Sequence, residues 1–103
     1  MTIVISYVNW ISRYQWFVPN DQLRQAICAH VVQILREKRV HQRMSMNRLA
    51  QRAGLSQSMI SLIEHDLRNP TLDTLLRMTD ALGLDLADVI KQSKVAALSR
   101  PRD

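Results

Sequence analysis

From Asn47 to Asp66 the chain reads N-R-L-A-Q-R-A-G-L-S-Q-S-M-I-S-L-I-E-H-D, and its residue types sort into two jobs. Leu49, Ala50 and Ala53 give a first short helix one buried face, and Ile60 and Ile63, three apart, bury a second. Ala50 is small where two helices must come close. Gly54 turns the chain and Leu55 plugs the turn into the core. What is left over on the second helix is Gln57, Ser58, Ser61 and Leu62, all pointing outward. Amides and hydroxyls of this kind donate and accept hydrogen bonds without carrying charge. Two helices joined by so tight a turn cross steeply, which projects the second from the surface. A projecting helix about two and a half turns long fits the major groove of B-DNA.

Other chemistry has no foothold. There is no Gly-rich phosphate loop and no G-x-S-x-G, so no enzyme is expected. His30, His41 and His65 have no metal-ligand spacing with Cys28; no metal site and no cofactor are expected. Met44, Met46, Met59 and Met78 read as core and edge filler. The single Cys28 excludes an internal disulfide framework. Its place in a helical apolar pattern predicts a buried structural thiol, in keeping with a reducing cytoplasm.

The scale of the chain agrees. Its 103 residues predict one compact domain, and 47% apolar residues exclude a disordered chain. Two Gly and three Pro argue against an all-β protein rich in tight turns. The formal net charge of +5 suits a polyanionic partner. Its distribution says more: residues 21–43 carry Arg24, Arg36, Lys38, Arg39 and Arg43 against Asp21 and Glu37. Residues 71–91 carry only Arg77 and Lys91 against Asp73, Asp80, Asp85 and Asp88. No stretch reaches the ~18 uninterrupted apolar residues of a membrane span. The N-terminus lacks the basic start and small-residue cleavage site of a signal peptide.

The elements that must position the outward helix can be read from their ends. All five aromatics lie in residues 1–18. There Ile3, Tyr7, Trp10, Ile11, Tyr14, Phe17 and Val18 form an apolar stripe at helical spacing, with a short strand over residues 2–5 as the alternative. Pro19 stops this block. Asn20 or Asp21 caps a helix running to about Arg39. Its apolar residues fall on two sides, Leu23, Ile27 and Ile34 on one and Cys28, Val31, Val32 and Leu35 on the other. Both sides need cover, and the aromatic block is a candidate for one of them. Ser45 caps a helix from Met46 to Ala53, ended by Gly54; Ser56 caps one from Gln57 to His65. Asn69-Pro70 breaks the chain. Thr71 caps a helix from Leu72 to Leu82, closed by Gly83, and Asp85 caps a short last helix through about Lys91. The expected organisation is an aromatic extension at 1–19, a domain at 20–91 and a basic tail at 92–103.

Leu49-Ala50, Gly54-Leu55-Ser56, Ile60-Ser61, Ile63-Glu64 and the following N-P-T-L-D-T-L-L-R-M-T-D-A-L-G-L carry a resemblance. The stretch from about Val31 to Ile90 resembles the phage-repressor and Cro-like (XRE-type) helix-turn-helix family. The resemblance implies an all-α fold, a five-helix lambda-repressor-like domain that binds double-stranded DNA. The apolar N-terminal segment would be extra to it. It makes Gln57 to His65 the recognition helix. Gln57 and Ser58 match base-reading positions, with Ser61 one turn on; Leu62 either contacts a thymine methyl or is a lone exposed apolar residue. Gln can make two hydrogen bonds to adenine N6 and N7. Arg39 and Glu64 match a structural ion pair between the first and third helices. Arg43, Asn47 and Arg68 match phosphate contacts; Arg48 and Arg52 are either further contacts or solvated charges.

Three positions depart from the family pattern. Asp66 and Arg43 stand where Gly is usual, and Met46 where a polar residue is common. The recognition helix carries no Arg or Lys, so the expected site is read at A·T pairs with help from DNA shape. Family members usually act as dimers on inverted half-sites about 34 Å apart. The expected function is therefore that of a transcriptional regulator, a repressor, working as a homodimer. The aromatic block, with Tyr7, Trp10, Tyr14 and Phe17, is the candidate dimer interface, the other reading being an intrachain first helix. The competing function is that of a protein-interaction module on the same fold, such as an antitoxin that binds its operator and masks a toxin partner through an apolar extension.

Overall fold

The computed structural model describes residues 20–99, which form five helices and, among the described residues, no strand. They are α1 (Asn20–His41), α2 (Met46–Ala53), α3 (Gln57–Glu64), α4 (Leu72–Leu82) and α5 (Leu86–Leu98). The aromatic block with Tyr7, Trp10, Tyr14 and Phe17 lies outside the described residues, as does the end of the tail from Arg100.

Eight-residue helices such as α2 and α3 are marginal alone, because few hydrogen bonds offset the cost of nucleation. Their ends are therefore fixed by side chains. Ser45 Oγ accepts from the Arg48 N–H at 3.0 Å and Ser56 Oγ from the Met59 N–H at 3.1 Å. Thr71 Oγ1 accepts from Thr74 N–H at 3.1 Å and Asp85 Oδ1 from Ala87 N–H at 2.9 Å. Each such cap stabilises its helix by about 1 kcal/mol. Gly54 ends α2 at φ 69° and Gly83 ends α4 at φ 73°, conformations that cost an L side chain strain.

Burial supplies the rest. Leu35 from α1, Leu49 from α2, Ile60 and Ile63 from α3, Met78 from α4 and Val89 from α5 are all but completely buried in one core. α1 makes its most extensive contact with α5, while α3 packs on α2 and α1. Gln42 Nε2 donates to the Leu82 carbonyl at 2.8 Å, tying the end of α1 to the end of α4. No helix of the described residues is long and apolar enough to cross a membrane.

Two expectations need correction. The last helix does not stop near Lys91 but runs to Leu98, so a tail beginning at residue 92 is too long. Ser93 is buried, its hydroxyl donating to the Val89 carbonyl at 2.8 Å, and Ala96, Ala97 and Leu98 are half-buried. The apolar spacing continues and no Gly or Pro interrupts it. Cys28 is exposed, not buried. It shares a helix face with Val32 and Leu35, but one turn earlier that face opens onto a surface groove bordered by Arg24 and Arg68. Elsewhere the differences are of one or two residues: α1 continues to His41, and α3 ends at Glu64 with His65 as its C-cap.

Candidate nucleic-acid interface

α3 is held by its buried face and both ends. Ile60 and Ile63 sit in the core with no exposure, and Met59 is half-buried behind the first turn. With these facing inward, Gln57, Ser58 and Leu62 are exposed and Ser61 is half-buried. The N-terminal turn, which carries Gln57 and Ser58, is fixed by the Ser56 cap. The outward face is thus made of one amide, two hydroxyls and one aliphatic side chain, with no formal charge.

The C-terminal end of α3 is locked by a buried ion pair. Arg39 Nε donates to Glu64 Oε2 at 2.7 Å and Nη2 to Oε1 at 2.8 Å. The Glu64 side chain is 2% exposed and that of Arg39 11%. Arg39 Nη1 also donates to the Met44 carbonyl at 2.7 Å, so one guanidinium joins α1, α3 and the loop before α2. A planar fork matching a carboxylate in two parallel bonds fixes direction as well as distance. Desolvating both charges costs heavily, so the net gain in stability is small. What the pair supplies is the fixed angle of α3 against α1.

His65, which sequence reasoning set aside, closes α3. Its Nδ1 lies 2.7 Å from the Ser61 carbonyl. A carbonyl only accepts, so Nδ1 carries the proton and donates, leaving Nε2 turned away from that bond. The one sequence signal for this was the four-residue spacing from Ser61 to His65.

The cationic and polar residues expected around α3 are all at the surface. Arg43 stands exposed in the turn after α1 at φ 57°, and Asn47 is exposed on the first turn of α2. Arg48 and Arg52 are exposed on α2. Arg68 is exposed in the loop after α3, where it borders the groove against α1 together with Arg24. Asp66 also has φ 57°. Arg43 and Asp66 therefore adopt the left-handed conformation that suits Gly, which is why these two positions stood out as departures. Met46 is half-buried and packs against the core, so apolar contact accounts for it.

Arg77, which sequence reasoning did not connect to this region, reaches the turn from α4. A Cβ on Gly54 would stand 3.1 Å from Arg77 Nη1. The guanidinium is held by Asp73, one turn back, with Nε donating to Oδ2 at 2.8 Å. That hydrogen bond, reinforced by the carboxylate's charge, raises the Arg77 pKa above its ordinary value. A positive group thus lies over the C-terminal end of α2, where the helix dipole is negative.

Comparison with known proteins places this geometry among others of its kind. A family model described as helix-turn-helix matches residues 35–89, slightly more than half of the chain. An uncharacterised HTH-type transcriptional regulator, y4dL, from Sinorhizobium fredii is 42% identical over 57 residues. That match covers 55% of this chain but only 29% of the relative's own length. Among solved structures, a point mutant of the restriction-modification controller protein C.Esp1396I superposes with a TM-score of 0.65. It shares 21% identity, and the superposition covers 73% of this chain and 97% of that one. At that identity the likeness speaks for the fold alone.

Proposed function

This chain belongs to the helix-turn-helix family whose model matches residues 35–89, and on that premise we propose that it is a sequence-specific DNA-binding transcriptional regulator. It acts as a repressor, as a dimer on an inverted repeat. The observation that carries this reading is α3 itself. It is a short helix whose angle is fixed by the buried Arg39–Glu64 pair and whose outward face holds only Gln57, Ser58, Ser61 and Leu62. A rigid helix with an uncharged hydrogen-bonding face is suited to reading base edges. Exposed Arg43, Asn47 and Arg68 on the flanking turns are suited to the phosphates on either side.

In this reading Gln57 takes an adenine through N6 and N7, Ser58 and Ser61 take neighbouring base edges, and Leu62 meets a thymine methyl. With no Arg or Lys on α3, bidentate guanine contacts must come from elsewhere or be absent, so the preferred half-site is rich in A·T pairs. Selection of bound sequences from random double-stranded DNA tests this. Enrichment of an A·T-rich inverted repeat is the expected result. Failure to enrich any sequence at low salt would remove DNA reading from the protein's function.

A further inference from the structure

The described residues leave one side of α1 open along most of its length. Two depressions there share Ala29, Val32 and Asp66 and so form one groove. Its α1 wall runs through Arg24, Cys28, Ala29, Val32, Arg36 and Val40, which lie on one helix face. Its other wall is the loop after α3, with Asp66, Arg68 and Asn69. Val40 is 56% exposed, and Cys28 and Ala29 are exposed as well.

The rim, the floor and the chain that leads into α1 together indicate what covers this groove. The rim carries both signs, Arg24, Arg36 and Arg68 against Glu37 and Asp66, which does not suit a polyanion or any other strongly charged partner. The floor holds small side chains, Cys28, Ala29 and Val32, and a close-packed cover for it must bring large ones. Residues 1–18 carry all five aromatics and a single charge, Arg13. Their stripe of Ile3, Tyr7, Trp10, Tyr14 and Phe17 repeats every three or four residues, as the α1 wall does. The length agrees too. Two antiparallel helices need a connection of only about two to five residues, and Val18-Pro19 stands between Phe17 and the start of α1 at Asn20. As a helix, Ile3 to Phe17 spans about 22 Å, against about 24 Å from Arg24 to Val40 along α1.

We propose that residues 3–17 of the same chain seat in this groove as a helix antiparallel to α1, with Tyr14 against Cys28, Trp10 over Ala29 and Tyr7 over Val32. The connection sets this register: each step from Phe17 toward Ile3 matches one step along α1 toward its C-terminus. The seated segment also meets the loop after α3 and so holds Arg68, a proposed phosphate contact. That last effect rests on the DNA reading above; the docking does not.

The test uses the full chain, whose single cysteine, Cys28, lines the groove. With Tyr14→Cys, mild oxidation is expected to form a disulfide to Cys28 within one chain, since such a bond needs Cβ atoms about 4 Å apart. Non-reducing electrophoresis and peptide mapping read the result. Ser12→Cys, two residues away but on the opposite side of the stripe by helical spacing, is expected not to link. In the unaltered chain Cys28 is expected to react with a thiol reagent about 10-fold more slowly than in the double variant Tyr7→Ser with Trp10→Ser. The disulfide measurement does not depend on that variant folding. The same double variant is expected to bind DNA about 10-fold more weakly on every sequence alike, the cost of one charge-assisted contact.

A disulfide that joins two chains puts the segment in another copy's groove and overturns the proposal. So does equal linking from positions 12 and 14, or a Cys28 that reacts as fast in the unaltered chain as in the double variant. Unchanged DNA affinity in a double variant whose Cys28 is unmasked overturns the hold on Arg68. Failure of the DNA reading looks different: the disulfide forms within one chain and no DNA sequence is enriched.

Discussion

The two sides of this small domain are finished in opposite ways. Around α3, polar groups are paired and the helix is clamped: Arg39, Glu64 and the Met44 carbonyl form a closed set, and no buried side-chain nitrogen or oxygen among the described residues lacks a partner. Around α4 and α5, apolar side chains are left open among the described residues, with carboxylates at one end and lysines at the other. A helix that must read a rigid partner needs its angle fixed before contact, since ordering it during binding would subtract from affinity. The contrast can be broken most sharply at the clamp. Glu64→Ala strands the Arg39 guanidinium in the core and is expected to cost about 3–5 kcal/mol in urea unfolding. The double change Arg39→Met with Glu64→Leu is expected to recover most of that stability. It should not recover DNA affinity if the pair's role is to set direction. Full recovery of both would reduce the pair to packing.

The next largest effect belongs to the reading face. Gln57→Ala is expected to lose about 1–3 kcal/mol of discrimination at one A·T position, measured by competition between half-sites differing at that base. It should leave the unfolding midpoint unchanged, because Gln57 is exposed and lies outside the core. An equal loss on every sequence would instead place Gln57 on the phosphate backbone.

Much of this was legible in the residues. The caps Ser45, Ser56, Thr71 and Asp85 and the stops Gly54 and Gly83 mark helix ends because local hydrogen bonding decides them. The spacing of Leu49, Ala50, Ile60 and Ile63 gave the crossing of α2 and α3 and so the face that stays outside. Other features depend on partners distant in sequence. Cys28 falls on an apolar face by spacing, yet its exposure is decided by where the loop after α3 passes. Arg77 reads as an ordinary surface ion pair with Asp73 until the fold brings it over Gly54. The run of α5 past Lys91 is likewise decided by packing at a distance in sequence: Ser93 is buried on the helix that makes the most extensive contact with α1.

The two glycine stops offer a finer comparison of the two sides. Gly54 and Gly83 have nearly the same φ, 69° and 73°, so alanine at either carries the same left-handed strain, about 1–2 kcal/mol. Their surroundings differ. Among the described residues nothing lies within 4 Å of a Cβ at position 83, whereas position 54 meets Arg77 at 3.1 Å. Gly54→Ala is therefore expected to cost slightly more than Gly83→Ala in denaturant midpoint, and Arg77→Ala in the Gly54→Ala background should remove the excess. Equal costs without that second change would mean the guanidinium simply swings aside.

The smallest effect is the most informative about charge. Asp66 combines a positive φ of 57° with a carboxylate in the loop after α3, beside the proposed phosphate track. Asp tolerates this conformation better than most residues, and Gly tolerates it freely. Asp66→Gly has two opposed effects on stability: it relieves strain in the folded chain but raises the entropy of the unfolded one. The expected change in unfolding free energy is therefore within about 0.5 kcal/mol of zero. DNA affinity is a separate matter, because removing a negative charge near phosphate should tighten binding whatever happens to stability. That gain should shrink as salt rises and screening shortens the reach of the lost repulsion. Arg43→Gln should do the reverse, weakening binding uniformly across sequences and lowering the salt slope by about one counterion. If Asp66→Gly tightened binding equally at low and high salt, the gain would come from the loop's conformation, and Asp66 would lie off the phosphate track.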